Sequence, residues 1–243
     1  LVLYYQDIVP VIPDNEAGHH FEILVRMLDE EGKLVPPNRF LPAAERYGLA
    51  PSLDRWVIAH SFLWYAERSD SQPAPGPVCM SVNLSGASIS DERFLKFIIG
   101  AMRYHDIPPE AICFEITETA AIANLEAAIE FMLELKGMGC SFALDDFGSG
   151  LSSFAYLKHL PVDYLKIDGS FVKNMDTDVL DCEMVRSIHQ IGSVIGIKTI
   201  AEFVENDEIR KKLADIGVDY AQGYGIAKPA PLADLTAASK QSA

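Results

Sequence analysis

Six successive β-rich segments of this sequence each carry a polar or charged side chain near their last residue. These side chains are Asn83, Glu115, the pair Asp145-Asp146, Lys166, Glu202 and Gln222. Glu22 adds a further carboxylate within an apolar run. Any one of them has an ordinary explanation, as an edge charge, a turn residue or an amine that reaches solvent. Agreement among six consecutive segments favours one shared site.

Carboxylates that converge on a small volume repel one another and resist desolvation unless a cation lies among them. The candidate ligands are Glu22, Asn83, Glu115, Asp145, Asp146 and Glu202. All of them offer oxygen atoms, which favours Mg2+ or Mn2+ over zinc. Adjacent aspartates allow one carboxylate to bridge two ions, and two ions are the usual arrangement for displacement at phosphorus. We therefore predict a two-metal site for a phosphate ester, with Lys166 adding positive charge.

The elements that must position these residues follow the pattern of parallel βα units. Eight β-rich runs span 4–11, 21–27, 78–84, 111–116, 140–144, 164–167, 198–202 and 220–225. Between them, apolar residues recur at helical spacing, as at Ile122, Leu125 and Ile129. Gly137 is expected to end that helix. The sequence predicts an α/β fold, a closed (β/α)8 TIM-like barrel.

One strand of the barrel should be irregular. The segment 12–20 is too short for a helical crossover, so the first two strands are expected to pair as an antiparallel hairpin. We expect residues 1–235 to form a single domain and residues 236–243 to be a frayed tail. The polar stretch 69–77 is expected to be a surface loop.

Composition narrows the functional classes. The chain of 243 residues has 20 Lys and Arg against 35 Asp and Glu, a formal net charge of −15. This charge argues against binding to a nucleic-acid polymer, which depends on clustered cations. No apolar run approaches the ~18 residues of a membrane span, so we expect no direct membrane insertion of this fragment. Four cysteines without metal-ligand spacing indicate thiols in a reducing compartment, so we expect a cytoplasmic location.

A loop rich in glycine and hydroxyl groups follows the paired aspartates directly. It begins Phe147-Gly148-Ser149-Gly150 and runs to residue 153. Such a loop is predicted to be a mobile lid whose ordering completes the site. A plain flexible connection between a strand and a helix is the alternative.

The ordered motifs resemble those of EAL-domain cyclic di-GMP phosphodiesterases over nearly the whole chain. The motifs are Glu22-Ile23-Leu24 with Arg26, Val82-Asn83-Leu84-Ser85, Glu115-Ile116-Thr117-Glu118, Asp145-Asp146-Phe147-Gly148-Ser149-Gly150, Leu165-Lys166-Ile167-Asp168, Ala201-Glu202 with Val204-Glu205, and Gln222-Gly223-Tyr224. The resemblance implies a (β/α)8 barrel with an antiparallel first strand. It also implies metal-dependent hydrolysis of cyclic di-GMP to linear pGpG by in-line attack of water.

The resemblance further implies roles for individual residues. Two Mg2+ or Mn2+ ions would be held by the six oxygen ligands already named, and Ca2+ would bind there without supporting the reaction. The catalytic residues would be Lys166, Glu202, Glu22 and Asp145. Lys166 would orient or deprotonate the attacking water. The substrate contacts would be Gln6, Leu24, Arg26 and Gln222. Glu118 would brace the lid formed by Phe147, Gly148, Ser149 and Gly150.

Three positions depart from the family pattern: Ile23 replaces alanine, Asp7 replaces proline, and Phe203 replaces glycine. None removes a proposed ligand, but Phe203 is expected to crowd the loop after the seventh strand. Such domains usually belong to larger proteins with sensor or cyclase modules, and we expect the same here. We also expect a homodimer. Any membrane tether is expected to lie outside this chain. Two alternatives remain open at this point: a catalytically silent cyclic di-GMP receptor, and an unrelated metal-dependent barrel of the enolase or aldolase type.

Overall fold

The computed structural model describes residues 1–14, 18–71, 78–148 and 156–238. The strands are β1 (Val2–Pro10), β2 (His19–Leu28), β3 (Leu34–Val35), β4 (Val78–Leu84), β5 (Ile112–Thr117), β6 (Ser141–Phe147), β7 (Tyr164–Ile167), β8 (Lys198–Ala201), β9 (Tyr220–Ala221) and β10 (Ala230–Pro231). The helices are α1 (Pro37–Arg46), α2 (Ala50–Ser71), α3 (Gly86–Ile89), α4 (Glu92–Tyr104), α5 (Glu118–Ala123), α6 (Leu125–Met138), α7 (Gly169–Val172), α8 (Val179–Ile195), α9 (Asp207–Ile216) and α10 (Leu232–Ala238). Single 3-10 turns lie at Pro109–Ala111 and Leu157–His159.

Eight of the strands form a closed barrel. Their order around the ring is β1-β9-β8-β7-β6-β5-β4-β2, and β1 closes it by pairing with β2. β1 runs antiparallel to both of its neighbours in the ring, whereas the other neighbours are parallel. The short β3 and β10 pair with β2 and β1 outside the ring. The predicted TIM-like barrel with an antiparallel first strand is confirmed.

Alternation of side chains along each strand separates the core from the site. In β5, Phe114 and Ile116 are fully buried, and the Phe114 ring lies 5.6 Å from that of Phe142 in β6. Phe131 of α6 packs on Phe142 with ring centroids 6.3 Å apart. Successive residues of a strand point to opposite faces, so the apolar set contacts the helices while Glu115 points into the barrel.

The segment after β5 differs from the single helix predicted there. Asn124, with φ −147°, separates α5 from α6, so Ile122 does not share one continuous apolar face with Leu125 and is 46% exposed. α6 also continues through Gly137 to Met138 and ends at Gly139, which has φ 116°. Gly139 ends the helix because the left-handed conformation at that position is accessible to glycine. The prediction that Gly137 ends the helix is wrong.

Two helices extend beyond the ends expected from the sequence. α2 continues to Ser71, so the first three residues of the stretch 69–77 are helical, and residues 72–77 lie outside the described part. α10 continues past residue 235 to Ala238, and residues 239–243 are likewise outside it. No helix of the described ranges combines the length and apolar character that crossing a membrane requires.

Alanine substitution at two glycines tests the assigned end of α6: Gly139 at that end, and Gly100 inside α4 as the comparison. Gly139 has a left-handed backbone conformation, and a Cβ added there would lie 3.0 Å from Glu110 Oε1. A Cβ added at the exposed Gly100 would meet no atom within 4 Å. We expect Gly139→Ala to lower the free energy of unfolding by about 1–2 kcal/mol. Gly100→Ala should raise it by about 0.5–1 kcal/mol, because it removes backbone entropy from the unfolded chain. Urea denaturation measures both, and equal effects would contradict the assigned helix end.

Candidate active site

Lys166 is the centre of a cluster of carboxylates at the C-terminal face of the barrel. It projects from β7, and its side chain is 1% exposed. Its Nζ lies 2.6 Å from Glu115 Oε2, 2.9 Å from Glu202 Oε1, 3.1 Å from Asp145 Oδ1 and 3.7 Å from Glu22 Oε2. Closure of the barrel therefore brings together side chains from β2, β5, β6, β7 and the end of β8, as the sequence predicted for one shared site.

Burial and the mutual field of the cluster perturb its pKa values. Burial alone would lower the pKa of Lys166, but the surrounding carboxylates outweigh it, led by Asp145, and raise that pKa well above its usual range. Burial raises the pKa of Glu115 well above normal against the opposing effect of Lys166. Burial also raises the pKa of Glu202 to about 8. One ammonium group therefore does not compensate for the acidic groups around it.

A chain of amide hydrogen bonds orients Glu22 across the seam where the barrel closes. Its Oε1 accepts from Asn83 Nδ2 at 2.6 Å, and its Oε2 accepts from Gln222 Nε2 at 2.7 Å. Gln222 Nε2 also donates to Gln6 Oε1 at 3.3 Å, and Gln6 Nε2 donates to the carbonyl of Ala227 at 2.9 Å. These residues come from β1, β2, β4 and the end of β9, so the seam fixes the carboxylate's direction.

A backbone irregularity brings the two consecutive aspartates to one side. Neighbouring residues of a strand normally point to opposite faces. The register between β6 and β7 shifts between Leu144 and Phe147, and Asp146 has φ 55°. As a result, carboxylate oxygens of Asp145, Asp146 and Glu202 lie within 4.8 Å of one another. Burial, and then the charge of Asp145, raises the pKa of Asp146.

The oxygen atoms of the cluster are suitable ligands for divalent cations. Glu115 Oε1 and Asp145 Oδ1 are buried and accept no hydrogen bond from the described residues, although the latter lies at ion-pair distance from Lys166. Buried oxygens without donors carry a large desolvation cost. Carboxylate and amide oxygens are ligands suited to Mg2+ and Mn2+. These residues can therefore hold hard divalent ions.

A cavity of about 490 Å3 lies beside the cluster. The four predicted substrate contacts, Gln6, Leu24, Arg26 and Gln222, all line it. The lining also includes residues for which the sequence predicted no binding role: Pro37, Lys173, Phe203, Glu205, Gly223, Tyr224 and Pro229. Glu205, Gly223 and Tyr224 belong to motifs that carry the family resemblance. Lys173 carried no sequence signal beyond its place in the segment after a barrel strand, where binding residues gather.

Asp54 of α2 is a supporting residue that sequence reasoning missed. It is buried, and its Oδ2 accepts from Ser85 N at 2.9 Å, Ser85 Oγ at 2.7 Å and Ser88 Oγ at 2.6 Å. Burial raises the pKa of Asp54, and the serine hydrogen bonds oppose that rise. The carboxylate thus holds the segment that follows Asn83. An aspartate within a helix gives no pattern that would reveal this contact.

The predicted lid divides into described and undescribed parts. Phe147 is the last residue of β6 and is fully buried, so its assignment to the lid is wrong: the ring belongs to the core. Gly148 N donates to Glu118 Oε2 at 3.2 Å, and the hydroxyl of Tyr156 donates to Glu118 Oε1. Glu118 therefore contacts both described ends of the segment. Ser149 and Gly150 lie outside the described residues.

Replacing Lys166 by an uncharged residue tests the electrostatic account of the site. We expect Lys166→Met to lower the free energy of unfolding by about 3–5 kcal/mol, because it leaves buried carboxylates uncompensated. Lys33→Met is the control, since Lys33 pairs with Glu31 at 2.6 Å on the surface and should contribute little. Urea denaturation with a chelator present measures both. Equal stability of the two variants would contradict the electrostatic account.

Curated relatives match nearly all of this chain. It is 45% identical over 233 residues to the cyclic di-GMP phosphodiesterase PdeB of Shewanella oneidensis, covering 96% of this chain and 27% of that protein. It is 40% identical to the cyclic di-GMP phosphodiesterase PdeF of Escherichia coli, covering 88% of this chain and 28% of that protein. The chain therefore spans little more than a quarter of the length of these relatives.

Solved structures share the fold. The phosphodiesterase PaMucR in complex with c-di-GMP superimposes with a TM-score of 0.86 at 29% identity, covering 96% of this chain and 93% of that one. The FimX EAL domain from Pseudomonas aeruginosa bound to c-di-GMP gives 0.85 at 33% identity, covering 94% and 90%. The EAL domain model matches residues 1–229. On this match and the shared barrel, the chain belongs to the EAL domain family.

Proposed function

We propose that this chain is a metal-dependent phosphodiesterase that hydrolyses cyclic di-GMP to linear pGpG. The observation that carries the proposal is the cluster of carboxylates around Lys166, which stands beside a cavity of about 490 Å3 at the C-terminal face of the barrel. The names of the curated relatives and the ligand in the two solved neighbours support this substrate.

We place two divalent ions, Mg2+ or Mn2+, among the oxygen ligands. When bound, such ions neutralise charge on the phosphoryl oxygens and lower the pKa of the attacking water. One would be held by Glu22, Asn83, Glu115 and Asp145, and the other by Asp145 and Asp146, with Glu202 completing the set. The buried oxygens of Glu115 and Asp145 that accept no hydrogen bond from a described residue support this arrangement.

Side chains of the barrel would place the water and the phosphate. Lys166 would donate a hydrogen bond to the water or to a phosphate oxygen, because its ammonium group is already held at a defined point by its neighbours. Glu22 would be preset by its hydrogen bonds from Asn83 and Gln222. Preorganised groups of this kind need little rearrangement when charge develops in the transition state.

The cavity residues would hold the rest of the substrate. The guanidinium of Arg26 suits a phosphate oxygen, and the amides of Gln6 and Gln222 suit polar atoms nearby. Leu24 offers an apolar contact. In the reaction, the water gives up a proton as its oxygen bonds to phosphorus. The bond from phosphorus to the 3′ oxygen breaks, which opens the ring, and the 3′ oxygen takes up a proton.

Removing single carboxylates tests the activity. We expect Asp145→Asn and Glu22→Gln to lower turnover by at least about 10²-fold, because each keeps its shape but loses the charge needed in the cluster. Glu92→Gln is the control, since Glu92 is 91% exposed on α4. Purified protein is incubated with cyclic di-GMP and Mg2+ or Mn2+, with and without chelator, and pGpG is followed by chromatography.

The outcomes of that assay separate the remaining functions. Unchanged turnover in Asp145→Asn would refute the assigned role of the cluster. Binding of cyclic di-GMP by the unsubstituted chain with no pGpG would favour the silent receptor. The family match already excludes an unrelated barrel, so no binding and no product would contradict the proposed activity itself.

Metal binding has a separate readout in thermal stability. We expect Mg2+, Mn2+ and Ca2+ each to raise Tm, because an ion that binds the folded chain stabilises it. The increase in Tm should be lost in Asp145→Asn and kept in Glu92→Gln. In the turnover assay, Ca2+ should support no formation of pGpG. A Tm increase of the same size in Asp145→Asn would place the ions elsewhere.

We also propose the wider setting of the domain. Residues 1–235 would be the catalytic domain of a longer cytoplasmic signalling protein that carries sensor or cyclase modules, with any membrane tether outside this chain. The domain would act as a homodimer. A net charge of −15 supports a small-molecule substrate over a nucleic-acid polymer.

A further inference from the structure

Phe203 adopts a backbone conformation that favours glycine. Its φ is 52°, and a bulky residue in this region is strained. It follows Glu202 of the carboxylate cluster directly, at the position where the family pattern has glycine. The residue is 51% exposed, so core packing does not account for it. Strain at a site is a reason to look for a function.

The surroundings hold the ring in one place. A Cβ at Gly169 would lie 2.1 Å from Phe203 Cδ2, so the ring rests where only glycine leaves room. Lys173 Nζ lies 4.6 Å from the ring centroid, a cation–π contact. The next residue is anchored, because Val204 N donates to the carbonyl of Gln222 at 3.0 Å. The ring is therefore positioned before any ligand arrives.

The ring lines the same cavity as the proposed phosphate contacts. Arg26, Glu202 and Phe203 all border that space of about 490 Å3. A ligand whose phosphate lies at the cluster must place the groups attached to it along this cavity. For a cyclic dinucleotide those groups include a purine, which has a flat π face, and aromatic side chains bind such faces by stacking.

We propose that Phe203 is a stacking platform for one purine base of the dinucleotide substrate. The proposal rests on the proposed function and deepens it, because it assigns a base contact to one residue of the cavity wall. Stacking of this kind corresponds to about 5- to 150-fold in affinity per base. Phe203 would then strengthen binding instead of obstructing the loop.

The test uses a phosphorothioate-linked cyclic dinucleotide that carries 2-aminopurine and resists hydrolysis. Stacking on an aromatic ring quenches the emission of 2-aminopurine, so the probe reports the contact itself as well as Kd. We expect the unsubstituted chain and Phe203→Tyr to bind and quench the probe. Phe203→Leu, which keeps bulk but lacks the π face, should bind about 5- to 150-fold more weakly and leave the bound probe bright.

Two further variants complete the design. Tyr104→Leu removes an aromatic ring from a residue of α4 that is 83% exposed, and this variant should behave like the unsubstituted chain. Phe203→Gly also removes the ring but fits the positive φ, so the same loss of affinity is expected even if Phe203→Leu folds poorly. Urea denaturation checks that each variant is folded at the assay temperature.

The contrary outcomes are distinct. If Phe203→Leu and Phe203→Gly bound the probe with the same Kd and the same quenching as the unsubstituted chain, the stacking proposal would be overturned and the phosphodiesterase proposal would stand. Tighter binding by Phe203→Gly would show that the ring obstructs the cavity, and would also overturn it. No binding of the probe or of cyclic di-GMP by the unsubstituted chain would overturn both proposals.

Discussion

The structure of the site depends on one electrostatic constraint: four acidic side chains must share a buried volume with a single lysine. Lys166 Nζ lies within 4 Å of a carboxylate oxygen of each. Charges removed from water are tolerated only when paired, hydrogen-bonded or neutralised by protons or ions. The raised pKa values of Glu115 and Glu202 are one expression of this constraint. Affinity for divalent cations, which we propose, would be another.

The barrel satisfies the constraint by geometry. Parallel strands present their C-terminal ends at one face, and closure makes the first and last strands neighbours. The reversed β1 completes the arrangement, because it brings Gln6 opposite Glu22, and Gln222 joins both from the other side of the seam. Hydrogen bonds at the closing seam thus hold one of the carboxylates that Lys166 faces.

Two residues at this face have a backbone conformation that favours glycine, Asp146 and Phe203. Within the described residues, the positive-φ positions other than glycine are Asp106, Asp146 and Phe203. The Asp146 carboxylate lies beside that of Asp145, and Phe203 lines the cavity. Strained backbone persists only where its surroundings hold it, and here the barrel supplies those surroundings. This arrangement links the scaffold's rigidity to the precision of the site.

The sequence by itself determined the class of fold and predicted which polar side chains would come together. Eight strands with helices between them indicated a barrel. Polar residues at the ends of parallel strands were then expected to meet at one face, because alternation and strand direction are local properties. The short segment before β2 likewise excluded a parallel first pair. The family resemblance then assigned roles that spacing alone left open.

Only the tertiary structure decided the contacts made across the chain. Asp54 reaches Ser85 from a different helix, and Lys173 meets Phe203 from a different loop. The break at Asn124 and the burial of Phe147 are also seen only in the structure, because local periodicity does not encode them. Phe203 shows the limit most clearly: its sequence position marked a departure from glycine, but the space left by Gly169 decided where the ring lies. Contacts between distant residues depend on how whole elements pack, and no short segment carries that information.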